Sequence, residues 1–169
     1  MCPPSSGKHK DDCRSSSGFM RSDAQLFSAM SPLQKREVHI YLARVALNQW
    51  KKFSESGVVP DSYIERVVGT KQDADLDLPR KALDCVVKNA GVSAIQKQYR
   101  EPLCALQDDD WDIPGEAAFA YYAIHNIFQK YALNKAVDDW LIVNQALSSL
   151  GNMSDLIEPT LADAVRQAT

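Results

Sequence analysis

From Ser31 onward, apolar residues recur at helical spacing. Ser31-Pro32 pairs a hydrogen-bonding N-cap with a proline at the first helical position. The pattern runs to Phe53, and Gly57 is placed to end the element. On a helical wheel of about 100° per residue, Val38, Leu42, Phe53, Ala46, Trp50, Ala43, Leu47 and Ile40 share one wide arc, with His39 in its middle. Glu37, Arg44, Asn48 and Lys51 fall opposite. This predicts a long amphipathic helix packed on a core, preceded by a shorter helical piece from Phe19 or Asp23 to Met30.

The pattern then becomes punctuated. Pro60-Asp61 predicts a short helix over Ser62–Val68 ended by Gly69, followed by a polar loop from Thr70 to Leu78. Pro79 opens a helix to Asn89 with Gly91 as its stop, and a weaker one spans Ser93–Tyr99, with Pro102 interrupting or kinking its end. Gln107–Gly115 reads as an acidic loop. Two helices follow, Glu116–Leu133 and Ala136–Leu150, and both are poor in charge. The first has Glu116 and Lys130 alone; the second has Asp138 and Asp139 in its first turn and no Lys or Arg. Helices of this kind are covered on most sides, which predicts a central antiparallel pair joined by the turn at Asn134. Pro159 opens a last helix to Gln167. With no repeat and no convincing run of strands, the expected fold class is all-α, a single-domain helical bundle of about five to seven helices.

Composition narrows the class. Of 169 residues, 45% are hydrophobic and 24% charged, which excludes a wholly disordered chain. No run approaches the roughly 18 apolar residues of a membrane span. Residues 1–22 are rich in Ser, Pro and charge and read as a disordered tail; 23–169 form the expected domain. The tail lacks the apolar core of a secretory signal, so a cytoplasmic location with reduced thiols is expected for Cys2, Cys13, Cys85 and Cys104. Cys85 and Cys104 stand in apolar surroundings and read as small hydrophobes. The net charge of −3 argues against nucleic acid as a partner, and the bases of the Ser31–Lys52 helix are scattered among apolar residues.

Several motifs invite chemistry and fall short of it. Asp108, Asp109 and Asp112 spell D-D-x-x-D, which resembles the magnesium–diphosphate motif of helical isoprenoid synthases; a second such motif is missing, and Pro114-Gly115 makes the segment a loop. Asp73, Asp75, Asp77 and Asp84 follow calcium-loop spacing, but Leu78 stands where that loop needs glycine and Asp84 where it needs glutamate. Cys2, His9 and Cys13 match no zinc spacing. No metal site and no cofactor are expected. His39 reads as a hydrogen-bonded core histidine, and Asn126, Asn144 and Gln145 as residues that set helix register.

Charge distribution supplies the functional expectation. From Glu101 to Glu116 there are six acids and no Lys or Arg, with Trp111 among them. The expected function is a non-enzymatic protein-binding domain. Asp108, Asp109, Asp110, Trp111 and Asp112 would dock on one protein partner with a basic surface, Trp111 as anchor. The opposing reading of the same segment is a solvated loop with Trp111 tucked into the core. In being small, acidic and without a catalytic motif, the chain is similar in broad terms to bacterial toxin-neutralising immunity proteins, which implies action by occlusion. The alternative is a small-molecule or metal-dependent enzyme or sensor with a pocket between the central helices, lined by Tyr121, Tyr122, His125, Asn126 and Asp139, with His125 as a candidate general base.

Overall fold

A computed structural model describes residues 16–89 and 91–169. Among them are eight helices and one hairpin: α1 (Ser16–Ala29), α2 (Pro32–Glu55), β1 (Ser62–Ile64), β2 (Lys71–Asp73), α3 (Leu78–Lys88), α4 (Ser93–Gln98), α5 (Arg100–Gln107), α6 (Gly115–Tyr131), α7 (Asp139–Ser148) and α8 (Ser154–Gln167). The fold is the all-α bundle expected from the pattern, with a small β element added. Of the tail read over 1–22, residues 1–15 lie outside the described residues, and α1 begins at Ser16.

The long helix starts where its sequence says it should. The Ser31 hydroxyl accepts the N–H of Gln34, and the Gln34 side chain accepts the N–H of Ser31, so two otherwise orphaned donors are satisfied reciprocally. Val38, His39, Leu42, Ala43, Ala46 and Trp50 are buried along α2, while Glu37, Arg44, Asn48 and Lys51 are exposed. Gly57 takes a left-handed conformation just past its end.

The centre of the bundle is α6, which packs on α2, α3 and α7. Three contacts show that α6 and α7 run antiparallel. Lys130 Nζ donates to the Val137 carbonyl at 2.6 Å, Asn126 Nδ2 donates to Gln145 Oε1 at 2.8 Å, and the start of α6 at Glu116 lies against Gly151 beyond the end of α7. The Asn126–Gln145 bond is the register device expected of that amide group. Asn144, read as another member, is exposed and takes no part in it.

The structure corrects the sequence reading in several places. Ser62–Val68 is not a helix: β1 pairs antiparallel with β2, Tyr63 opposite Gln72. The carboxylate of Glu65 accepts the N–H groups of Val67 and Val68, at 3.1 and 2.7 Å, and Gly69 at φ 69° completes the turn. A β-branched and aromatic segment with a side-chain-capped turn favours this over a seven-residue helix. At the end of α3 the left-handed residue is Asn89, not Gly91. Past the end of α4 at Gln98 the chain forms a further helix, α5, which the sequence reading did not include; Pro102 sits in its first turn, where its missing N–H would have no helical partner. Pro159 does not open α8; the helix begins at Ser154 and carries Pro159 inside it.

Among the glycines described, Gly151 is the one where both backbone conformation and space exclude a side chain. Its φ is 57°, and a Cβ there would lie 2.5 Å from Cγ of Glu116. Gly151→Ala is expected to lower stability by about 1–3 kcal/mol in urea unfolding. Adding Glu116→Ala should recover the steric part and leave the backbone part. A midpoint unchanged in the single variant would show that the α7–α8 turn is not held in this conformation.

Candidate functional site

The acidic loop between α5 and α6 lies at the surface, but its tryptophan does not. Asp108, Asp109 and Asp112 are exposed and Asp110 is half-buried, whereas Trp111 is only 3% exposed. Trp111 therefore cannot anchor a partner, which corrects the anchor role read from the sequence. Its indole Nε1 donates to the Pro60 carbonyl at 2.9 Å, and its ring packs on Trp50, Tyr63 and Tyr121 with centroids 5.8–6.0 Å apart. Burial of so large a ring with its donor satisfied pins the loop onto the segment leading into the hairpin. Arg66 at the hairpin tip adds an ion pair to Asp110 at 3.1 Å. Being mostly exposed on the arginine side, that pair contributes little stability; the tryptophan carries the attachment.

The hairpin tip is the feature that sequence reasoning missed. Val67 and Val68 are 89% and 71% exposed, and Ile64 is 54% exposed. The signal was local: two valines between a glutamate able to cap the turn and a glycine able to close it.

The aspartates do not form a metal site. Residues 108–114 lie between helices, with Asp109 at φ 60°, so the spaced carboxylates of the D-D-x-x-D sequence do not share a helix face. Around the calcium-like spacing the acids are spent on cations: Asp75 on Lys81, Asp77 and Asp84 on Arg80. Asp75 also accepts the N–H of Asp77, closing the turn before α3. Among the described residues, no three His, Cys, Asp or Glu side chains gather to hold a metal ion. Cys2, His9 and Cys13 lie outside those residues. Cys85 is buried, and burial pushes its thiol up; Cys104 is exposed rather than apolar-packed as expected.

The pocket proposed between the central helices is not assembled as one cavity. Tyr121 is fully buried on the side of Trp50 and Trp111, with no hydrogen-bond partner for its hydroxyl. Tyr122 is half-buried and does not line the groove that holds His125. Asp139 lines a separate cleft with Lys35, Lys130 and Tyr131. Only His125 and Asn126 come together, in an open groove of about 420 Å³ with Tyr99, Arg100, Leu103, Gln129, Lys135 and Val137. Asp139 and Cys85 line other clefts, and neither Cys104 nor Glu116 lines the groove beside His125.

His39 is the core histidine the pattern predicted, and its surroundings fix its tautomer. Nε2 lies 3.1 Å from the Asp139 carbonyl, which can only accept, so Nε2 carries the proton. Nδ1 then accepts from the Tyr131 hydroxyl at 2.8 Å. Burial lowers its pKa from the ordinary 6.5 to about 4, against the opposing pull of Asp139. The Asp139 carboxylate bridges Lys35 at 3.1 Å and Lys130 at 3.0 Å. Burial alone would raise this carboxyl, but the hydrogen bonds from the two lysines outweigh it and hold it below the usual range. His125 is also lowered to about 4, by burial and then by Lys135.

Comparison of the chain with protein-family models, with curated proteins and with solved structures returns no match.

Two outcomes follow for the histidines. Tyr131→Phe leaves His39 Nδ1 without a donor and should cost about 1–3 kcal/mol in urea unfolding; an unchanged stability would mean that the 2.8 Å contact is not a hydrogen bond. Both histidines bind protons less readily folded than unfolded. Their contribution is complete above pH 6.5 and is lost as pH falls towards about 4, on the order of 3 kcal/mol for each. His39→Gln should flatten the slope of stability against pH in that window, and an identical slope would refute the burial of a neutral His39.

Proposed function

We propose that this chain is a non-enzymatic protein-binding domain, acting in the cytosol, whose docking face joins the acidic loop to the hairpin tip. The observation that carries this reading is the pair of exposed valines, Val67 and Val68, on a hairpin fastened to the acidic loop through Trp111 and Arg66. Adjacent exposed β-branched side chains cost nothing to desolvate in polar terms and gain from burial in a partner. The carboxylates of Asp108, Asp109 and Asp112 beside them would attract a basic rim and speed association. The partner this face fits has an apolar recess bordered by lysines or arginines.

Because Trp111 is buried, the anchoring role passes to the valines, and the tryptophan acts from inside by keeping loop and hairpin in one arrangement. A preorganised face loses less conformational entropy on binding than a free loop. Occlusion of a basic catalytic or substrate-binding surface, as toxin-neutralising immunity proteins achieve, is the action such a face would serve.

The test separates the two components. The chain is used as bait at low salt, a stoichiometric partner is identified, and its binding kinetics are measured on two variants. Charge reversal by Asp108→Lys, Asp109→Lys and Asp112→Lys should slow association about tenfold or more and abolish its salt dependence. Val67→Ser with Val68→Ser should leave association nearly unchanged and speed dissociation. All five positions are exposed, so folding should change little. Retention of no partner, or rates indifferent to both variants, would count against the reading.

A further inference from the structure

We propose that the groove between α5, α6 and the turn at Lys135 binds a small organic anion, a phosphate monoester or a carboxylate carrying an apolar group. The groove is independent of the docking face described above, and its composition departs from that of the chain. The protein carries net charge −3, yet no acid lines this groove, while Arg100 and Lys135 both do. Among the described residues neither of these cations takes part in an ion pair. Its volume of about 420 Å³ is in the range of small-ligand sites.

The second observation is His125. It is 9% exposed, lines the groove, and has a buried Nδ1 with no hydrogen-bond partner. An unpaired buried nitrogen constrains where the ring's proton sits. The Tyr99 ring packs edge-on against the imidazole at 4.8 Å and holds it in place. A neutral imidazole here carries one N–H. With Nδ1 buried and without a partner, placing that proton on Nε2 avoids burying an unpaired donor and leaves an N–H for a ligand oxygen.

The remaining lining suits an organic anion better than a bare ion. Leu103 and Val137 supply apolar contact, and the Gln129 amide supplies a further polar group. Lys135 is held at the groove because its backbone N–H donates to the Gln129 carbonyl at 3.0 Å. Two cations around one neutral donor match a carboxylate or phosphate, since arginine in particular offers paired N–H groups to such planar or tetrahedral oxygens.

The test follows the histidine side-chain nitrogens by NMR in the full chain. Phenyl phosphate, benzoate and benzyl alcohol are titrated in turn, and His39 serves as the internal reference. The expected result is a saturable shift at His125 but not at His39 with at least one of the two anions, and none with benzyl alcohol. Stronger binding of phenyl phosphate would assign the head group as phosphate, and stronger binding of benzoate as carboxylate. Arg100→Gln with Lys135→Gln, both at exposed positions, should weaken binding about tenfold or more. Failure to saturate by about 10 mM ligand, an equal response to benzyl alcohol, or undiminished binding in the double variant would overturn the proposal. None of these readouts depends on Asp108–Asp112 or on the hairpin.

Discussion

A helix that is apolar around most of its circumference has to be enclosed, and that requirement organises this fold. Ala117, Ala120, Tyr121, Ala123, Ile124, Ile127 and Phe128 of α6 are all buried. No single neighbour could cover so wide a surface, so α2, α3 and α7 close around it. Small residues at 117, 120 and 123 let backbones approach, while the aromatic and branched residues fill the intervening space. Two polar side chains on α6 set the register. Asn126 meets Gln145, and Lys130 meets both Val137 and Asp139.

Around that helix, two aromatic systems divide the labour. At one end, Trp50, Trp111 and Tyr121 form a cluster whose two indole N–H groups are spent on backbone carbonyls of Leu76 and Pro60. Each bond satisfies a buried donor and ties an otherwise loosely held connection to the core. This is why the stretch from Pro60 to Leu78, with three-residue strands too short to be stable alone, has a defined place. At the other end, His39 sits between Phe27 and Tyr131, with ring centroids 5.5 and 5.8 Å away. Its two ring nitrogens bond to Tyr131 and to the backbone of Asp139, so α2, α6 and the start of α7 are joined by one side chain. Lysines 35 and 130 on Asp139 enclose the same junction.

The surface that results is uneven in a useful way. Acids gather on the α5–α6 loop beside an apolar hairpin tip, while Arg100 and Lys135 border a groove on another part of the molecule. Opposite charges kept apart by a rigid core do not neutralise one another, and each retains a local potential of its own sign. A net charge of −3 therefore conceals two regions of opposite local charge.

The long helix and the central pair were legible in the sequence because their signals are local. Ser31 and Pro32 mark the start of α2, the apolar arc of α2 follows from period alone, and the charge-poor stretches after Glu116 announce a buried pair. His39 could be placed in the core for the same reason. The hairpin, Trp111 and the groove were decided only by tertiary structure. Ser62–Val68 has too few residues for its period to distinguish a turn from a helix, and its strands are held by packing of Tyr63 on Trp111. An aromatic flanked by acids has the same sequence whether it faces a partner or the core; its donor's bond to Pro60, fifty-one residues away, sends it inward. Arg100, His125 and Lys135 likewise meet only because α5 and the turn after α6 come together. Periodicity reports which face of an element is apolar, and it carries no record of which distant residue that face will meet.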